Sequence, residues 1–221
     1  VSSRANFAVV PIEGFNPQRV KHLKHGMETT LGTTVKAGAI LDRDYRSSAE
    51  RDFIKSECEQ ICDFTTIHDR KEIENFLLVP AAIDRAASRN LADRAKRSGK
   101  EAAYAFKAEE TLEQFATEKR DYVLSQYIAN RRRFELASKR GNDEATYNES
   151  LIREFNENWN AGESRLALIP GKDALSYVNS QLQKTHAISV TATAIIDAMK
   201  KDEVPKEMVD LIAQLNRLAT A

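Results

Sequence analysis

Apolar positions follow two rhythms along the chain. In the first seventy residues, short apolar runs alternate with amphipathic stretches. Phe7-Ala8-Val9-Val10-Pro11-Ile12 predicts a short buried strand, and Val20, Leu23 and Met27 predict a helix after it. Residues 36–41 predict the next strand. Residues 47–61 predict an amphipathic helix with Ser47 or Ser48 as N-cap and Phe53, Ile54, Cys58 and Ile61 on one side. Phe64-Thr65-Thr66-Ile67 then predicts a third strand. Strands alternating with helices of this length imply a parallel sheet with right-handed crossovers and a ligand site beyond the carboxyl ends of the strands.

From about residue 72 to residue 159 the spacing becomes helical, with few breakers and many Ala, Glu, Lys and Arg. Arg165-Leu166-Ala167-Leu168-Ile169 predicts a strand again, followed by Pro170-Gly171-Lys172 and a helix over residues 173–184. The tail from Val190 to Leu218 predicts two helices separated near Val204-Pro205, with Ile195, Ile196, Met199 and Leu211, Ile212, Leu215 as buried stripes. The expected class is α/β: a mostly parallel sheet flanked by helices, with a helical insertion and C-terminal helices. The expected divisions are a core over residues 1–71, the insertion over 72–160, and the end of the core with the C-terminal helices over 161–221.

Composition narrows the function. The chain of 221 residues is long enough for a substantial core. Its 33 basic and 33 acidic residues cancel, so contact with nucleic acid has to come from local patches. Two basic runs offer one: Arg94-Ala95-Lys96-Arg97 and Arg131-Arg132-Arg133, each of which also reads as a solvated helix face. Cys58 and Cys62 read as reduced thiols. No apolar run reaches the length of a membrane span and no signal peptide opens the chain, so a cytoplasmic protein with no membrane partner is expected. The first residue is Val1, and the rapid approach to an apolar run suggests a processed chain or a piece of a larger one. His22 and His25 read as surface residues, Trp159 and Tyr177 as core.

The chemistry concentrates in "GAILDRDYR", residues 38–46. In an extended strand Asp42 and Asp44 share a face and Arg43 takes the other. Two carboxylates about 5 Å apart at an effective dielectric near 20 repel by roughly 3 kcal/mol. A solvated turn relieves this. So does Mg²⁺ or Mn²⁺ held by hard oxygen ligands. After the third strand, "HDRKEIENFLL" adds Glu72 and Glu74, which also read as acids at a helix N-terminus, and Lys172 opens the helix after the late strand.

"AILDRDYR", "RKEIENFLL" and "LIPGKDAL" together resemble the successive motifs of the TOPRIM nuclease domain of the OLD (overcoming lysogenization defect) family of ATP-dependent endonucleases, over residues 7 to about 184. The resemblance implies a TOPRIM-like sheet and a two-metal Mg²⁺ or Mn²⁺ site for DNA phosphodiester hydrolysis in defence against foreign DNA. The partners it implies are DNA, an ATPase domain of the same parent chain, and further copies through the parent. By resemblance Asp42 and Asp44 match the paired aspartates, Glu72 or Glu74 the downstream acid, and Lys172 the late lysine. The pattern departs from the family at its start. Ile12-Glu13-Gly14 looks like the first glutamate motif, but Pro17 stands where an aspartate is expected, so the first motif is expected upstream of Val1, with Glu13 as the alternative. A DNA-docking or assembly module that keeps the fold without catalysis, and a phosphohydrolase or RNA-cleaving toxin using the same carboxylates, are the competing readings.

Overall fold

The computed structural model describes residues 8–12, 17–99, 103–137 and 143–220. Its helices are α1 (Pro17–Leu31), α2 (Ser48–Glu59), α3 (Pro80–Ser98), α4 (Ala108–Ala137), α5 (Glu144–Asn160), α6 (Gly162–Leu168), α7 (Gly171–His186), α8 (Ala192–Ala198) and α9 (Lys206–Thr220). Two strands, β1 (Gly38–Leu41) and β2 (Phe64–Ile67), make a parallel pair in the register Gly38 to Phe64 through Leu41 to Ile67. The described residues are mostly helical (72%), and the α/β class holds loosely, with a sheet of two strands among them. The chain divides into two compact units, Val1–His68 with Pro205–Ala221 and Asp69–Val204. These boundaries fall at 68/69 and 204/205, whereas the expected divisions are at 71/72 and 160/161, and residues 161–204 group with the helical unit.

The first unit contains the strand pair, α1, α2 and α9. Ser47 is extended at φ −70, ψ 163, and its hydroxyl accepts the Glu50 N–H at 3.2 Å, which starts α2 where the sequence predicts. Ile54 and Cys58, one turn apart, form the buried stripe of α2, while Phe53 is 59% exposed. Gly38 lies under the Phe64 ring, which leaves no room for a Cβ on β1 at this register. Thr66 Oγ1 donates to Gln214 Oε1 at 3.0 Å and ties β2 to α9. Residues 8–12 are exposed and irregular, not a buried strand, and Phe7 lies outside the described residues. Pro11 has no N–H to give a ladder, which weakens that segment as a strand.

The second unit is helical, and its core repeats at one-turn steps. Leu151, Phe155 and Trp159 line α5, and Ala174, Val178 and Leu182 line α7. Small residues on α3, Ala82, Ala86 and Ala87, allow close approach of α4 and α8. The predicted strand over residues 165–169 is α6 and its C-cap instead. Glu163, Arg165, Leu166, Ala167 and Leu168 all favour helix, and a run of four apolar residues does not separate strand from helix by period. In the tail the division at Val204-Pro205 holds, but Ile196 and Ile212 are exposed at 57% and 48%, leaving Ile195 and Ala198 on α8 and Leu211 on α9 as the buried helix positions.

Asn75 connects the 3-10 turn Ile73–Leu77 to both α6 and α7. Fully buried, it donates from Nδ2 to the Leu166 carbonyl at 2.7 Å and to the Ile169 carbonyl at 2.8 Å, and its Oδ1 accepts the Glu72 N–H at 2.9 Å. A Cβ on Gly171 would lie 2.6 Å from Asn75 Oδ1 and 2.7 Å from its backbone nitrogen. Leaving buried polar groups without partners costs about 1–3 kcal/mol each. Asn75→Ala should therefore lower unfolding stability by at least about 2 kcal/mol. A denaturant midpoint equal to that of the wild type would show that these groups find other partners.

Both cysteines are free and buried, Cys58 on α2 and Cys62 beyond its end. Burial pushes both thiols above their ordinary range, with Cys62 adding to the effect on Cys58. Less thiolate is present at a given pH, and the thiolate is the nucleophile. In the native protein at pH 8 both thiols should react with a disulfide reagent much more slowly than after denaturation. Equal rates would contradict the burial.

Candidate functional site

The register that pairs Leu41 with Ile67 brings the next residue of each strand to the same sheet end, Asp42 after β1 and His68 after β2. His68 is 1% exposed, and its Nε2 lies 2.9 Å from Asp42 Oδ1. An ionised carboxylate only accepts hydrogen bonds, so Nε2 is the protonated nitrogen of this pair. Burying an imidazole is favourable only with such a partner. The Asp42 side chain remains 47% exposed. Its carboxylate is thus braced from behind and open to solvent.

Asp44 is engaged differently. The strand ends at Leu41, so strand alternation does not extend to Asp42 and Asp44. Asp44 takes the left-handed conformation at φ 50, which aspartate tolerates, and its Oδ2 lies 2.6 Å from Arg46 Nη1. The same guanidinium reaches Glu50 through Nε at 3.4 Å. Arg43 stands between the two aspartates in sequence, and buried Tyr45 follows them. Each aspartate therefore has its own partner, His68 for Asp42 and Arg46 for Asp44, and the repulsion expected from a shared strand face is offset without an added ion.

Glu72 and Lys172 do come together. Glu72 Oε2 accepts the Lys172 backbone N–H at 3.0 Å, and Oε1 forms an ion pair with Lys71. The carboxylate thus sits at the N-terminus of α7, where the helix dipole favours negative charge. The Lys172 ammonium belongs to an exposed residue. Glu74 lies half-buried in the first turn of the 3-10 segment. Reasoning from sequence missed Asn75 and His68. Asn75 stands three residues after Glu72, the spacing of a capping box, and His68 stands after β2 as Asp42 stands after β1.

The five predicted site residues divide between the units: Asp42 and Asp44 in the first, Glu72, Glu74 and Lys172 in the second. The donors are of the type that hard cations prefer. In number they fall short. Among the described residues no three His, Cys, Asp or Glu side chains are gathered for a metal ion. Asp42 offers an accessible carboxylate, and Asp44 offers another on leaving Arg46. Glu13 and Gly14 lie outside the described residues.

The two basic runs also separate. Arg131 is buried, with Nη1 2.6 Å from Glu154 Oε2 and its guanidinium 3.9 Å from the centre of the Tyr127 ring. Arg132 Nη2 lies 2.6 Å from Glu144 Oε2. Arg131 and Arg132 fasten α4 to α5, while Arg133 is exposed. Arg94, Lys96 and Arg97 are exposed.

The fold and site define a mostly helical α/β protein whose parallel strand pair carries Asp42 and His68 at its carboxyl ends. Comparison with protein-family models, curated proteins and solved structures finds no match to the chain. Among the described residues no helix is long and apolar enough to cross a membrane.

The capping role of Glu72 has a measurable consequence. Glu72→Ala should cost about 1 kcal/mol, the usual value of an N-terminal cap, while Lys172→Ala should change stability by less than about 0.5 kcal/mol. Thermal unfolding of both variants checks this, and equal losses would contradict the assignment.

Proposed function

We propose that this chain is the nuclease portion of a divalent-cation-dependent DNA endonuclease of the OLD type, with a TOPRIM-like core. The observation that supports the reading most is the half-exposed Asp42 carboxylate at the carboxyl end of a parallel strand, held by buried His68. Ligands of α/β sheets bind at that edge. Asp42 is the first ligand for Mg²⁺ or Mn²⁺ in this reading, and Asp44 the second on exchanging Arg46 for the cation. The cation supplies a water of lowered pKa and stabilises developing negative charge on the phosphate. By resemblance Glu72 or Glu74 is the downstream acid and Lys172 the lysine that adds positive charge at the phosphate, and an ATPase domain and further copies of the parent are the expected partners.

A second reading, a DNA-docking or assembly module without catalysis, is favoured by the engagement of Asp44 with Arg46 and of Glu72 with the start of α7.

Cation binding and cleavage distinguish the two. With Mn²⁺ at a hundred times its dissociation constant, the wild type should gain roughly 2.7 kcal/mol of stability, and Asp42→Asn should lose that gain. Residues 1–221 alone should nick supercoiled plasmid poorly, whereas the parent chain with the first acidic motif restored upstream should nick it in Mn²⁺, and Lys172→Ala in that chain should reduce nicking by about 10². Identical melting with and without Mn²⁺, together with plasmid left intact by the parent chain, would leave the docking module as the function.

A further inference from the structure

The second unit contains a groove of about 750 Å³ at the C-terminal end of α3, bounded across by the end of α7 and the turn into α8. Arg94, Lys96 and Arg97 line its α3 side, and Gln183, Ser189 and Thr191 line the other. The positive charges are largely uncompensated. Arg94 donates to the His186 carbonyl, and Arg97 Nε donates to the Asp93 carbonyl at 3.2 Å, so among the described residues neither guanidinium is spent on a carboxylate. Asp93 is the acid lining the groove, with an oxygen 3.5 Å from Lys96 Nζ in a well-exposed pair. Further back on α3, exposed Arg89 likewise donates to a carbonyl, that of Asp197, at 3.4 Å.

Carbonyl contacts orient a guanidinium without neutralising it. They leave its remaining N–H groups available to an outside acceptor, in the geometry arginine uses for phosphate oxygens. The frame behind them is tied down: Asn90 Nδ2 donates to the Ser189 carbonyl at 2.7 Å, and the His186 ring stacks on Tyr104 with centroids 5.6 Å apart. Basic residues at a helix C-terminus also complement the helix dipole, which accounts for charge there but not for an open groove lined opposite by amide and hydroxyl donors.

We propose that this groove docks the sugar–phosphate backbone of duplex DNA, with Arg94, Lys96 and Arg97 as its phosphate contacts. The choice of DNA among polyanions rests on the nuclease reading above. Docking needs no cation, so it is measurable apart from cleavage. It also assigns the DNA contact to the first basic run rather than to the Arg131–Arg133 run.

The test is fluorescence anisotropy with a labelled duplex of about 20 base pairs in EDTA, across about 50 to 200 mM salt. The wild type should bind with an affinity that falls steeply as salt rises. Lys96→Ala with Arg97→Ala should weaken binding about tenfold or more at low salt and reduce the slope of log affinity against log salt by about 2, since each phosphate contact contributes about 0.9. Arg132→Ala with Arg133→Ala should bind as the wild type does. Lys96→Gln alone, at a residue whose side chain is 79% exposed, should give about half the slope change even where the double variant is less stable. Wild-type protein that does not bind duplex, or a double variant within twofold of it with the same slope, would overturn the assignment. Groove-dependent binding, with a parent chain that never nicks DNA, would sustain the docking groove and reject the nuclease reading alone.

Discussion

One buried amide organises the turn from which the second unit's candidate residues project. Asn75 is inaccessible to water, and a bare amide there would be costly. Its two Nδ2 hydrogens meet the Leu166 and Ile169 carbonyls, left over at the end of α6, and its Oδ1 closes the 3-10 turn on Glu72. Gly171 permits that approach, because a Cβ there would collide with the amide. The same constraint brings Glu72 to the first turn of α7 and so beside Lys172. A network of this kind specifies geometry because each of its members is satisfied only in one arrangement.

The strand pair obeys a different logic. Few residues of the first unit are fully buried: α1 buries none, and α2 buries only Ile54 and Cys58. Polar contacts therefore carry more of the local order at its strand ends. His68 against Asp42 and Arg46 between Asp44 and Glu50 keep three carboxylates close in sequence from acting as uncompensated charge. The arrangement leaves Asp42 accessible while fixing its orientation, which a ligand for an external cation or phosphate-bound water requires. Asp44 is engaged instead by Arg46, whose guanidinium lies 2.6 Å from its Oδ2.

Net neutrality conceals an uneven use of arginine. Arg131 and Arg132 are consumed in joining α4 to α5, one over an aromatic ring and both against glutamates. Arg89, Arg94 and Arg97 end on main-chain carbonyls and keep their charge. A carbonyl aligns the guanidinium, whereas a carboxylate also cancels it, so basic runs of similar composition differ in what they offer a polyanion.

The sequence by itself determined the local elements whose signals are short-range. Ser47 marked the start of α2, Phe64–Ile67 marked β2, and the helix expected over residues 173–184 is α7, because caps and periodicity act within a few residues. It also singled out Asp42, Asp44, Glu72, Glu74 and Lys172 as the chemistry-bearing positions, through residue type and order. The tertiary structure alone decided which side chains answer them. His68 reaches Asp42 only because the parallel register aligns two strand ends 26 residues apart, and Asn75 reaches Ile169 across 94. The run at 165–169 became helix because its four apolar residues fit either period and helix-forming neighbours tipped the choice. Partnership across such distances depends on packing, and no local pattern encodes whether an arginine meets a carbonyl or a carboxylate.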